Sequence, residues 1–304
     1  MNQIDEKLYK KGLIGPLKPS LGPLKQRYGA PPFSCLDQKD ADWQRRKKRW
    51  LGLGIESEVG RGDNLLALAH LGQGTSVFDP VLCELAYTWW SPNQGVVLDP
   101  FAGGSVRGVV ASILGRKYWG CELRGEQVEA NKKQGELLRG KFRPKWFQGD
   151  SEEIIPEKAP KADFIFSCPP YGDLEEYSKE EEDLSNKSWQ EFRAKYQRII
   201  YHAVAKLKEN RFAVFVVSNY RDKKEGKLRS LVSETCECFE ASGCDFYNDA
   251  VLLGSSGSAA RRANRIFLNG NRKLVKTHQN VLCFCKGSPK LAAEAILESE
   301  NEDE

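Results

Sequence analysis

Residues 96–105 read Val96-Val97-Leu98-Asp99-Pro100-Phe101-Ala102-Gly103-Gly104-Ser105. A short apolar run that ends in an acid, a proline and paired glycines is a strand turning sharply into the next element. Glycine at such a turn lets the backbone approach a ligand closely. Outward from here, strand-like and helix-like segments alternate. Val106–Leu114 reads as helix, Lys117–Glu122 as strand, Arg124–Arg139 as helix and Lys145–Gly149 as strand. Asp163–Ser167 is a strand entering Cys168-Pro169-Pro170-Tyr171. Trp189–Leu207 is apolar at Phe192, Tyr196, Ile199, Ile200, Ala203 and Leu207, the spacing of one helix face. Phe212–Ser218 is an apolar, β-branched run of the kind buried on both faces of a parallel sheet. Leu228–Ala241 reads as helix, with strands near Phe246–Leu253 and Val281–Lys286. The alternation predicts an α/β chain with a doubly wound, mostly parallel sheet, whose ligands sit beyond the carboxyl ends of the strands.

With 304 residues, 40% hydrophobic and 29% charged, the chain has enough material for one substantial core with appendages. No apolar run reaches bilayer-spanning length, and MNQIDEKLYK lacks a signal-peptide core, so a cytoplasmic location is expected. Nine scattered cysteines with no CxxC point to free thiols and to no metal site. The net charge is +4, but Glu294–Glu304 holds six acids and no base, which leaves +10 elsewhere, a mild bias toward a polyanionic partner. Three regions are expected: an extended Pro/Gly-rich arm over 1–42, a catalytic domain over 43–290 and a solvated acidic tail over 291–304.

Taken alone, the glycine turn after Asp99 suits any α/β protein. Two further strand ends also finish in an acid, Glu122 and Asp150. The chain has neither GxxxxGK[ST] nor GxGxxG, the usual phosphate cradles. Acids in that arrangement suit a ligand with an ammonium, a sulfonium and ribose hydroxyls, which is S-adenosylmethionine. Glu122 is then expected at the ribose hydroxyls and Asp150 at the adenine amino group.

The fourth strand delivers Ser167-Cys168-Pro169-Pro170-Tyr171-Gly172. Two prolines fix the backbone and remove two donors, and Tyr171 offers a flat face. A Pro-Pro turn with a core tyrosine is the plain alternative. DPFAGGS followed by CPPY resembles the amino-methyltransferases of DNA modification. Their catalytic motif is Asp, Asn or Ser, then Pro-Pro, then an aromatic residue. From about Trp43 to Lys286 the chain is also similar to phage-type DNA modification methylases, in WQRRKKRWLGLGIESEVGRG, SVFDPVLCELAY and KTHQNVLCFCKG.

The resemblance implies a Rossmann-like class I methyltransferase fold with seven strands, the last antiparallel. It places S-adenosylmethionine on Phe78, Asp79, Asp99, Phe101, Gly103, Gly104, Ser105, Glu122 and Asp150, with Phe78-Asp79 at the methionine end. It assigns catalysis to Cys168, Pro169, Pro170 and Tyr171. The implied reaction is methylation of adenine N6 or cytosine N4 in DNA, on a base flipped out of its helix. The amino nitrogen's lone pair is delocalised into the ring; accepting its hydrogens on a carbonyl near Pro169 and on the first motif side chain restores lone-pair character. Here that side chain is Cys168, a weak acceptor, so the carbonyl and Ser167 are expected to carry more of the task. Cytosine carbon-5 chemistry through Cys168 is disfavoured, because those enzymes place cysteine after the proline.

For DNA contacts the sequence offers two basic stretches. Arg45, Arg46, Lys47, Lys48 and Arg49 lie between Trp43 and Trp50, and a solvated helix face is the competing reading. The segment 255–278 holds Arg261, Arg262, Arg265, Arg272, Lys273 and Lys276 between the last two strands, and is expected to contact DNA. Acidic residues Glu175–Asp183 follow CPPY as a candidate lid or a solvated loop. Two other functions compete: an RNA base amino-methyltransferase, since PPYG also occurs in enzymes of that kind, and a non-catalytic DNA-binding protein with a degenerate methylase fold.

Overall fold

A computed structural model describes residues 23–55, 78–138, 140–172, 182–223, 225–254, 259–268 and 272–301. In chain order the elements are α1 (Pro23–Tyr28), β1 (Cys35–Asp37), α2 (Ala41–Leu51), α3 (Pro80–Trp90), β2 (Val96–Asp99), α4 (Val106–Ile113) and β3 (Lys117–Glu122). Then come α5 (Gly125–Leu137), β4 (Lys145–Gln148), α6 (Ser151–Lys158), β5 (Ala162–Ser167), α7 (Trp189–Lys206) and β6 (Leu207–Val217). The hairpin β7 (Tyr220–Arg221) and β8 (Leu228–Arg229) precedes α8 (Leu231–Ala241), β9 (Asp245–Leu253), α9 (Ala259–Leu268), β10 (His278–Lys286) and α10 (Pro289–Asn301).

The main sheet runs β1-β9-β10-β6-β5-β2-β3-β4. β10 is antiparallel to both β6 and β9, and every other pairing is parallel. Helices cover both faces, so the central strands are apolar on alternate residues in both directions. Val97, Phe164, Phe166, Val214 and Val216 pack on one side with Val81, Tyr87 and Val109 of α3 and α4. Leu98, Ile165, Ala213, Phe215 and Val217 pack on the other with Tyr196 and Ile199 of α7 and Phe239 of α8. Among the described residues no helix is long and apolar enough to cross a membrane.

Four expectations need correction. The sheet has eight strands, because Cys35–Asp37, inside the supposed arm, pairs with Val251–Leu253. Three residues with only Leu36 buried are too short to show a strand period; residues 1–22 lie outside the description. The basic run Arg45–Arg49 is only in part a solvated face: Arg45, Lys48 and Arg49 are exposed, whereas Arg46 is buried. Trp43, Arg46 and Trp50, spaced three and four apart, are the buried stripe of α2. There Arg46 pairs with Glu84 at 2.8 Å and Trp50 donates to the same carboxylate at 2.7 Å.

Residues 291–301 of the acidic tail lie in α10, with Ala292 and Ile296 buried on the sheet. That i, i+4 pair was hidden behind the charge of its neighbours. Finally, the expected helix from Leu228 starts at Leu231, since Leu228 and Arg229 close the β7–β8 hairpin.

Candidate active site

A cavity of about 390 Å³ opens at the carboxyl ends of β2, β3, β4 and β5, under α2 and α3. Of the residues expected to bind cofactor or carry catalysis, Phe78, Asp79, Phe101, Gly103, Gly104, Glu122, Asp150 and the whole of Cys168–Tyr171 line it. Asp99 and Ser105 do not.

Asp99 is fully buried beneath the floor. It accepts from Arg107 Nε at 2.6 Å, Tyr118 Oη at 2.7 Å, Ser167 Oγ at 2.6 Å and the Phe101 amide at 3.1 Å. Its role is therefore to shape the turn from below. Ser167, expected to help accept the amino hydrogens, is committed to Asp99. Arg107 also donates to the carbonyls of Phe101 at 2.6 Å and Ala102 at 3.0 Å, and its guanidinium lies 4.5 Å from the Phe78 ring centre. One buried arginine thus sets the path of the loop on which Gly103 adopts φ +50° over open space. Ser105 opens α4 with no side-chain cap bond.

The three expected acids at the cavity wall are each met by a cation. Asp79 caps α3, accepting from Val81 N at 2.9 Å; its other oxygen takes Lys47 at 2.9 Å, Trp43 Nε1 at 3.2 Å and Gln38 Nε2 at 3.4 Å. Glu122 accepts the amides of Gly103 at 3.0 Å and Arg124 at 3.1 Å, with Arg124 Nε at 3.4 Å. Asp150 caps α6 through Glu152 N at 2.9 Å and ion-pairs with Lys195, which also donates to the Glu182 carbonyl at 2.9 Å. The acid-rich pocket read from the sequence is thus nearly charge-balanced. Burial raises the Glu122 carboxyl above its ordinary range, against the opposing charge of Arg124 and the two amides.

At the catalytic end, Cys168 Sγ lies 3.8 Å from Tyr171 Oη, and Gln279 Nε2 donates to that hydroxyl at 2.5 Å. Gly172 follows at φ +50°, where a Cβ would collide with the Tyr220 hydroxyl of β7, so the chain leaves CPPY through a passage only glycine fits. Sequence reasoning missed Gln38, Arg107, Arg124, Lys195 and Gln279, and set Lys47 in a DNA-contacting run; all six line the cavity. Buried thiols elsewhere are pushed up, Cys238 to about 12, by desolvation first.

The basic segment between β9 and β10 contains the helix α9 rather than a bare loop. Arg265 and Arg272 are exposed. Lys273 reaches the β7–β8 hairpin, its Nζ 3.2 Å from where a Gly226 Cβ would stand. The side chains of Arg261 and Arg262 lie outside the description, as do residues 175–181 of the acidic stretch; Glu182 and Asp183 line the cavity.

No protein-family model and no curated protein matches the chain. Solved structures do. An RNA methyltransferase candidate from Pyrococcus horikoshii is 17% identical, covering 80% of this chain and 99% of its own, with a TM-score of 0.48. TrmN from Thermus thermophilus is 15% identical, with a TM-score of 0.44; 69% of this chain matches it, and the chain spans about half of TrmN's length, 49%. A DNA modification methylase candidate from Thermus thermophilus is 15% identical over 46% of this chain and 51% of its own, with a TM-score of 0.33. The fold itself is a doubly wound, mostly parallel α/β sheet in which β10 runs antiparallel to its neighbours.

Proposed function

We propose that this chain is an S-adenosylmethionine-dependent DNA methyltransferase of the phage modification type, acting on the exocyclic amino group of adenine (N6) or cytosine (N4). The observation that carries this is that Cys168–Tyr171 lines the same cavity as Phe101, Gly103, Gly104, Glu122 and Asp150. S-adenosylmethionine supplies an electrophilic methyl group on a sulfonium. The residues fit it: Gly103 leaves open space at the turn, Glu122 presents a carboxylate for the ribose hydroxyls, and Asp150 with Ser151 stands ready for the adenine. Phe78 and Asp79, with Lys47, face the methionine end.

Tyr171 stacks on the flipped base, while the main chain at Pro169 accepts one amino hydrogen. Arg265, Arg272 and Lys273 hold the DNA backbone beside the mouth. Labelled S-adenosylmethionine incubated with unmodified genomic DNA or total RNA, followed by nucleoside mass spectrometry, tests this. N6-methyladenine or N4-methylcytosine in DNA is the expected product. Label in RNA alone would move the activity to RNA, and label in neither would leave a binding protein.

Glu122 gives the cofactor site a pH signature. The ionised carboxylate accepts from the ribose hydroxyls, and a hydrogen bond to a charged group contributes about 1.5–3 kcal/mol. Glu122→Ala should therefore bind S-adenosylmethionine roughly 10- to 150-fold more weakly. Because burial raises this group's pKa, wild-type affinity should decline on acidification from a pH above the ordinary glutamate range. Calorimetry from neutral pH downward checks both points. A Glu122→Ala profile that falls just as the wild type's does would remove Glu122 from the ribose site.

Phosphate contacts release counterions, with a slope in log affinity against log salt of about −0.9 per contact. Replacing Arg265, Arg272 and Lys273 together with alanine should reduce the slope for duplex DNA by about 2–3 and leave cofactor affinity intact. A triple variant with the parental slope would exclude these side chains as the backbone contact.

A further inference from the structure

Resting on the amino-methylation reading above, we infer that Gln279 is a catalytic residue: its side-chain carbonyl accepts the amino hydrogen that Cys168 is chemically unsuited to hold. A thiol is a poor acceptor, and Ser167, the next hydroxyl, is turned beneath the floor onto Asp99. The cavity needs a second acceptor at its catalytic end, and β10 brings one.

Gln279 stands opposite Leu252 in the β9–β10 register, two residues before Val281. Side chains alternate along a strand, so Gln279 projects to the face on which Leu252 and Val281 are buried, the face covered by α2 and α3. At the end of the sheet that direction leads into the cavity, which Gln279 lines together with Cys168 and Tyr171. Its Nε2 is given to Tyr171 Oη at 2.5 Å. That bond fixes the amide plane beside the ring that stacks on the base, and leaves Oε1 as the acceptor of the pair. An amide oxygen is what the motif's first position provides when it is asparagine. Here the same group arrives from a strand 108 residues beyond Tyr171 in sequence.

In the reaction, the amino nitrogen's lone pair forms the new N–C bond as the C–S bond breaks, sulfur keeps the bonding pair, and one proton leaves nitrogen for water. Gln279 takes no proton. Holding the N–H draws electron density onto nitrogen and lowers the barrier, in the way preorganised hydrogen-bonding groups do elsewhere.

The test uses the full chain, labelled S-adenosylmethionine and unmodified genomic DNA. Gln279→Leu, close in volume but without an acceptor, should lower kcat roughly 10²-fold with little change in KM. Calorimetry should show unchanged S-adenosylmethionine binding, which also reports that the variant is folded. Gln279→Met serves if the branched leucine perturbs the strand. The decisive arm is rescue: Cys168→Asn added to Gln279→Leu should restore kcat about ten-fold or more, since the two positions serve one hydrogen. Parental kcat in Gln279→Leu overturns the inference. So does a loss that Cys168→Asn does not relieve, because Gln279 would then act only by holding Tyr171. A parent chain that binds the cofactor but methylates no base amino group takes down both the function and this role.

Discussion

Arg107→Met should unfold with about 3–5 kcal/mol less stability than the parent chain, which corresponds to a melting temperature roughly 10 °C lower. The side chains of Asp99 and Arg107 are 0% and 5% exposed, with Nε 2.6 Å from the carboxylate. Removing the arginine strands a buried charge whose remaining partners are neutral donors: Tyr118, Ser167 and the Phe101 amide. It also frees the carbonyls of Phe101 and Ala102 that shape the loop. Adding Asp99→Leu should recover only part of the loss, because those three donors then lack their acceptor. Urea unfolding of both variants is the measurement. A single variant within about 1 kcal/mol of the parent would mean the pair contributes no more than an exposed ion pair does.

Tyr171→Ala should lower kcat/KM for DNA by roughly 10- to 150-fold, from loss of base stacking of about 1–3 kcal/mol. Tyr171 lines the cavity between Cys168 and Gln279, and its hydroxyl is held by the latter. Tyr171→Phe keeps the ring and loses the tether, so it should fall between the two. Steady-state methylation with labelled cofactor separates these effects. A Tyr171→Ala enzyme at parental kcat/KM, with Tyr171→Phe impaired, would reverse the assignment and make the hydroxyl the essential group.

The sequence exposes what local order determines. The strand ends carrying Asp99, Glu122, Asp150 and Cys168 follow from short apolar runs and the turns after them, and three of the four residues line the cavity. Arg124 opposes Glu122 from two residues away, but what opposes Asp79 and Asp150 is set by tertiary contact. Lys195 reaches Asp150 across 45 residues, and Gln279 reaches Tyr171 across 108. Lys47 sits in a run of five cations whose helical phase, read from Trp43, Arg46 and Trp50, decides which are buried. Asp99 misled for the opposite reason: an acid at a strand end has the same signature whether it faces the ligand or the floor.

The pairing of β1 with β9 joins Cys35 to Val251. During synthesis, the edge strand emerges some 216 residues before its partner exists. At typical elongation rates that is a wait of roughly 10–45 s. Over that interval α2, with Lys47 and the two tryptophans that seat it, has α3 to dock on but no strand beside it to fix its approach. The roof of the cavity is thus completed last, after the floor laid down by β2 to β5. A ribosome-bound chain halted before residue 250 should present the catalytic loop to solvent with its lid helix only loosely placed.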